Sequence, residues 1–365
     1  MHKSRWMIAL VGIMAATMLF VTACTPGDVS PTPTQPTGPE NTEVIEWLGQ
    51  VHTGGITQQY ESLVRVADRI GSLSDGRLNM RVEIGGGIAP STQEWPAVDV
   101  GTLDFAITCW MFLRDRNESA ALFTTIAGGM KPMEALAWNN DGDGFLLAQE
   151  MIESIGLNVH AVKNGGWMGP PEIFVSTNRP LTKAGDFNGM TIRGAGDTAE
   201  IWSKLGASMV FIPPGEVYEA MERGVIDGYE VSMPTLDWAF GLYEAADYLY
   251  LSGARQPYEY NPFIVNGTTW AALPDDLKEI VTEVNQAETI RSYTNLLKID
   301  IEALQKFRDY GCNVEYLPDA LIDEYSAAAD VFYAEAAANN EFSKRVLDSY
   351  WAFMEDVQST WPGGV

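Results

Sequence analysis

Apolar positions along this chain change period repeatedly, from two residues to about 3.6 and back, as in an α/β protein. Val44 to Val51 reads as a strand, and after it Tyr60, Leu63, Val64, Ala67 and Ile70 share one helical face. Leu78 to Ile84 and Leu103 to Thr108 read as further strands, with a short helix begun or interrupted at Trp95-Pro96 between them. Leu157 to Val162 is a strand; the glycines and prolines of Asn164 to Phe174 predict a loop entering another strand at Ile173 to Ser176. The most regular stretch, Met190 to Glu230, reads β-α-β-α-β. Met190 to Arg193 is a strand, and the Gly194-Ala195-Gly196 turn leads to a helix capped by Asp197 or Thr198 and running to about Leu205. Ser208 to Ile212 is the second strand, Pro213-Pro214-Gly215 breaks it, Glu216 to Glu222 is helical, and a third strand ends near Glu230. From Leu273-Pro274-Asp275 onward the pattern is helical, with one run from about Asp276 to Tyr310 that would measure about 50 Å, and others to about Val357.

The first residues follow another rule. His2, Lys3 and Arg5 precede an apolar run from Trp6 to Val21, and Val21-Thr22-Ala23-Cys24 has the form of a lipoprotein cleavage box. This predicts a signal peptide over residues 1–23 and a lipidated Cys24, against the alternative of an ordinary signal anchor with a chance cysteine. Residues 24–43 are rich in proline and threonine and poor in apolar groups, so they read as an extended tether reaching up to roughly 50 Å. The whole chain has 365 residues, 46% of them hydrophobic, enough for one or two domains with a full core. Its net charge of −26 argues against nucleic acid as a partner. It does not exclude anionic ligands, because a local arginine outweighs a diffuse field screened beyond about 10 Å. Besides Cys24 there are only Cys109 and Cys312, without metal-type spacing; they can bridge outside the cytoplasm or stay as two buried thiols, and the second is expected.

In sheets wound this way ligands sit beyond the carboxyl ends of strands, where Arg193, Glu230 and Trp110 fall. An arginine before a glycine turn can offer its planar fork to a carboxylate, or can be a surface residue paired with Asp197 or Glu200. Trp110 can form a cleft wall or belong to the core. Gly85-Gly86-Gly87 lacks the following Lys-Ser/Thr of a phosphate cradle and reads as a close backbone turn. Asn139-Asn140-Asp141-Gly142-Asp143-Gly144 with Glu150 imitates a calcium loop, but a turn between two helices fits better, since Phe145-Leu146-Leu147 already begins an apolar helical face. Of the histidines only His52 and His160 survive processing, neither within a nucleophile motif, so an enzyme is not expected.

Three runs carry a family likeness: Asp186-Phe187-Asn188-Gly189-Met190-Thr191-Ile192-Arg193, then Leu205-Gly206-Ala207, then Glu216-Val217-Tyr218-Glu219-Ala220-Met221-Glu222-Arg223-Gly224-Val225-Ile226-Asp227-Gly228-Tyr229-Glu230. Together they closely resemble the extracytoplasmic solute receptors of tripartite ATP-independent periplasmic (TRAP) transporters, and the likeness extends more weakly over about residues 44 to 350. It implies a two-lobed, periplasmic-binding-protein-like α/β fold with hinge strands and a long helix backing both lobes. Lobe one is expected from residues 44–162 and 230–255, and lobe two from 163–229 and 256–365. The resemblance further implies that Arg193 clamps a substrate carboxylate. Glu172 sits where the branch for 2-oxo acids and lactate has a glutamine metal ligand, Glu230 matches the second ligand, and Gln256 lies on a segment passing the cleft with Tyr258 and Glu259. Trp110, Trp167 and Val231 complete the candidate ligand contacts, and Glu172, Glu230 and Gln256 are the candidate metal ligands.

Two carboxylates converging on one site repel unless a cation or proton joins them, which points to calcium, or sodium, bridging the substrate. The alternative has Glu172 capping a loop and Glu230 paired with Arg255. Glu230-Val231-Ser232 departs from the Glu-Asn-Pro of sialic-acid receptors and lacks the aromatic residue usual beside the glutamate in the 2-oxo-acid branch. The expected protein is a lipid-anchored, monomeric extracytoplasmic receptor. It would bind a small 2-oxo or 2-hydroxy monocarboxylate and deliver it to a membrane permease, with a solute-binding lipoprotein of an ABC importer as the alternative.

Overall fold

The period-two runs become eleven strands among the described residues, 44–55 and 57–361 of this computed structural model. The expected signal peptide, Cys24 and the tether lie outside the described residues. In chain order the strands are β1 (Ile45–Val51), β2 (Leu78–Glu83), β3 (Phe105–Ile107), β4 (Val159–Gly169), β5 (Ile173–Thr177), β6 (Thr191–Arg193), β7 (Ser208–Val210), β8 (Gly228–Tyr229), β9 (Tyr248–Leu251), β10 (Glu259–Asn266) and β11 (Asn313–Tyr316). They build two sheets, ordered β2-β1-β3-β10-β4 and β11-β9-β5-β8-β6-β7. In the first, β1 runs parallel to β2 and β3 while β10 is antiparallel to β3 and β4. In the second, β6 is parallel to both β7 and β8, so Arg193 lies beside Tyr229 and one residue from Glu230.

The chain passes between the sheets where β4 leads into β5, again where β9 leads into β10, and a third time through the helices between β10 and β11. The first two crossings run together, because Gly169 pairs with Glu259 at one end and Ile173 with Leu251 at the other. Pro170-Pro171-Glu172 forms the first crossing and Ser252 to Tyr258 the second. This revises the expected division: β9 belongs to the second sheet and β10 to the first. The reversal has a simple cause, since a strand that leaves one sheet must join the other within the few residues that Gly253 and Pro257 bound. The expected loop at Asn164 is also revised, for β4 continues through it to Gly169. Asn164 and Gly166 take positive φ (51° and 144°), and a Cβ on Gly166 would stand 2.1 Å from the Asn261 carbonyl oxygen, so glycine here permits close strand pairing rather than a loop.

Helices cover these sheets by their apolar faces. In Gln58–Leu73, capped by the Thr57 hydroxyl on the Tyr60 N–H, Leu63, Val66, Ala67 and Ile70 are buried. The helix Asp275–Tyr310 has 36 residues and ends at Gly311 in the left-handed region (φ 118°). It packs against both β4 and β11 and so backs both sheets. Under the second sheet Phe174, Phe187, Trp202 and Tyr325 form an edge-to-face cluster with centroids 4.6–6.3 Å apart. The calcium-like stretch is a helix junction: Glu150 forms a two-pronged pair with Arg345, and Asp143 accepts from Ser349. Cys109 and Cys312 are separate buried thiols.

Candidate functional site

Arg193, the last residue of β6, is only 5% exposed. Its Nε donates to the Ile212 carbonyl at 2.9 Å, Nη1 donates to the Glu230 backbone carbonyl, and its guanidinium lies 5.6 Å from the centre of the Phe211 ring. The reading of Arg193 as a surface partner of Asp197 or Glu200 is not realised, because both carboxylates pair with Arg114 from the other side of the cleft. Neither Asp197 nor Thr198 caps the helix Gly196–Lys204. Ala195 stands at that position, and its N–H donates to Glu230 Oε1 at 2.9 Å. A carboxylate one strand away thus does the capping, favoured by the positive end of the helix.

Arg193 faces a cavity of about 110 Å³ between the two sheets. Glu172, Glu230 and Gln256 line it, joined by Arg255, Glu259 and Asp197; Cys109, Met111, Thr124 and Thr125 line it from the first-sheet side. Trp110 does not reach this cavity: it is 2% exposed and packed between Trp95 and Phe123, with centroids 5.0 and 5.5 Å away. It and Tyr258 line a separate apolar gap of about 20 Å³. Trp167 is buried in the core of the first sheet, and Val231 packs on the cluster around Val217 and Leu242. In each case apolar area inside outweighs a place at the cleft.

The centre of the site is an ion-pair bridge. Arg255 Nη1 donates to Glu230 Oε2 at 2.9 Å, and Nη2 donates to Glu172 Oε2 at 2.7 Å and to the Ile173 carbonyl at 2.8 Å. All three side chains are at least 92% buried, and the Arg255 Nε–H has no acceptor. In this structure a guanidinium lies between the two glutamates. Burial opposes the charge on Arg255, but Glu230 and Glu172 outweigh it and hold the group more firmly protonated. Burial pushes the Glu172 carboxyl up despite Arg255, with Glu259 and Glu230 adding to the rise. Glu259 is raised by burial against its Asn261 hydrogen bond, and the Cys109 thiol is pushed up to about 12, chiefly by burial, so it stays protonated.

A metal held by Glu172, Glu230 and Gln256 meets few available donors here. Glu230 has one oxygen on Arg255 and the other on Ala195, which leaves Glu172 Oε1 and the Gln256 amide, against six to eight oxygens for calcium. Among the described residues no group of three or more His, Cys, Asp or Glu side chains is placed to hold a metal ion.

The architecture and the sequence now meet known proteins at the same place. Bacterial extracellular solute-binding protein, family 7 (DctP), matches residues 49–340. The chain belongs to the DctP family. This family consists of solute-binding receptors rather than enzymes, and its members work outside the cytoplasm. The sequence is similar to the monocarboxylate 2-oxoacid-binding periplasmic protein of Nostoc sp., with 25% identity over 294 residues, 80% of this chain and 79% of the relative. Its fold is similar to a TRAP periplasmic solute-binding protein from Colwellia psychrerythraea with bound calcium and pyruvate (TM-score 0.80, 22% identity, 87% of this chain and 96% of that one). It is also similar to one from Pseudoalteromonas atlantica with bound sodium and pyruvate (TM-score 0.78, 24% identity, 87% and 96%). The two-lobed DctP plan gives each sheet to one lobe and the cavity to the cleft between them. Among the described residues no helix is long and apolar enough to cross a membrane.

Arg114 and Arg255 are the charged residues that sequence reasoning undervalued. Arg255 entered only as an alternative partner of Glu230; the one signal for more was an arginine between the glycine and proline of a segment already placed at the cleft.

Proposed function

We propose that this chain is the solute receptor of a TRAP transporter, taking up a small 2-oxo or 2-hydroxy monocarboxylate in the cleft and handing it to the membrane permease. The observation that carries this reading is Arg193, buried at the cavity with Nε and Nη1 anchored on backbone carbonyls and Nη2 left for a ligand. A guanidinium fixed this way is preorganised for a carboxylate and loses little freedom on binding. The cavity of about 110 Å³ suits an acid of a few carbons better than a sugar acid. The similarity to a 2-oxoacid-binding protein and to pyruvate-bound structures supports the same class. Glu172, Glu230 and Gln256 line the same cavity, and the two structures similar in fold hold calcium or sodium together with pyruvate. An ABC importer has no support from the family match. The reading extends to a monomer held at the membrane by a lipid on Cys24.

Mass spectrometry of ligand released from freshly purified protein tests it, followed by calorimetric titration with that compound. A two- to five-carbon 2-oxo or 2-hydroxy acid is expected; recovery of a sugar, a peptide or an amine contradicts the assignment.

A further inference from the structure

Structures similar in fold hold calcium or sodium together with pyruvate, which raises the question of what supplies positive charge between Glu172 and Glu230. Arg255 supplies it covalently. Its side chain is 2% exposed, two of its nitrogens hold one carboxylate each, and Nη2 also holds the Ile173 carbonyl. A buried arginine is always charged, so this cation cannot be removed by a chelator or lost at low metal concentration. Arg255 and Arg193 both line the cavity, and both bond to Glu230.

A metal in the same place has to displace this arrangement. An ion within coordinating distance of Glu172 Oε2 and Glu230 Oε2 would sit against Nη1 and Nη2, which occupy those oxygens at 2.9 and 2.7 Å. Glu230 Oε1 already accepts from Ala195, so the carboxylate cannot turn away from Arg255 without uncapping the helix Gly196–Lys204. Both consequences are unfavourable, like charges in contact and an unpaired helix terminus.

We infer that Arg255 replaces the bridging metal ion in this receptor, joining Glu172 to Glu230 at the wall of the cavity, so that binding needs neither calcium nor sodium. The inference rests on the proposed small-acid function.

The test is calorimetric titration of protein freed of bound ligand and metal, with pyruvate, 2-oxobutyrate and lactate. Each is run in sodium-free buffer containing a calcium chelator, then with 1 mM calcium, then with 150 mM sodium against potassium at equal ionic strength. The expected result is binding of at least one of these acids with a Kd that changes less than twofold across the three conditions. Arg255→Gln, checked for folding by circular dichroism and thermal melting, is expected to lose at least 100-fold in chelator and to regain at least tenfold with calcium, since the two vacated carboxylates can then coordinate an ion. Should Arg255→Gln fail to fold, the wild-type comparison alone decides. Wild-type binding that appears only on adding calcium or sodium overturns the inference while leaving the proposed function standing. Binding of no acid under any condition overturns both.

Discussion

At the residue scale the site shows how a buried charge is either matched or suppressed. Arg193 and Arg255 are matched by carbonyls and carboxylates, while elsewhere burial raises the pKa of acids. Asp300, 6% exposed, accepts from the Thr235 N–H at 2.9 Å through Oδ1 and has no partner for Oδ2. Burial pushes its pKa up from 3.8 to about 6, against the Thr235 hydrogen bonds. The folded state thus holds a proton that the unfolded chain gives up between pH 4 and 6, and stability falls as pH rises through that window. Asp300→Asn keeps the Oδ1 acceptor without the ionisation. It should melt at the wild-type temperature at pH 4 but be more stable at pH 7.5 by about 2 kcal/mol, a difference that thermal melts across pH would read directly. Residue-scale chemistry was only partly legible in the sequence. Arg193 and Glu230 lie in one contiguous run whose strand-helix alternation places both at strand ends. Glu172, Glu230 and Arg255 meet only because two crossing segments lie side by side, and no local pattern encodes that meeting.

At the element scale the strands and helices from Met190 to Glu230 came out as their periodicity predicts, because each is a short unit with its own breaker. β4 did not: its glycines read as a loop, yet they serve close pairing with β10. Gly166→Ala puts a Cβ 2.1 Å from the Asn261 carbonyl at a φ of 144° that side chains rarely adopt. The strand must shift, and chemical denaturation should show a loss of several kcal/mol, roughly the range of overpacked or strained sites, whereas Gly76→Ala strains φ alone, with open space around its Cβ, and should cost about 1 kcal/mol. Trp110 and Trp167 illustrate the opposite limit. Periodicity puts a tryptophan at a strand end, but whether its ring turns to the cleft or the core depends on what fills the space behind it, here Trp95 and Phe123 for Trp110.

At the scale of the whole molecule the two lobes are tied by more than the crossings. Arg114 pairs with Asp197 at 2.9 Å and with Glu200, both on the helix Gly196–Lys204, and so links the first-sheet side of the cleft to the second. Ligand-driven closure needs contacts that exist only when the lobes approach, and a pair that spans the cleft should act as one of them. Arg114 is about one-third exposed, so its contribution is modest and screened by salt. Arg114→Ala should weaken ligand affinity by roughly two- to fivefold, mostly through faster release in stopped-flow measurements, and the difference should shrink at 0.5 M salt. An unchanged release rate would show that the pair plays no part in closure. The division into lobes was legible in outline from the family resemblance, but not the placement of β9 and β10, since a segment that changes sheets carries the same period-two pattern on both sides of the change.

The central claim is that a guanidinium at the end of β6 grips the ligand's carboxylate. Calorimetric titration of wild-type and Arg193→Lys protein with the acid released from the purified receptor tests it most directly. Lysine keeps the charge but cannot reproduce the Nε and Nη1 anchors or the planar fork, so affinity should fall by at least tenfold, with the melting temperature of the ligand-free protein within a few degrees of wild type. Equal affinities in the two proteins would contradict the account.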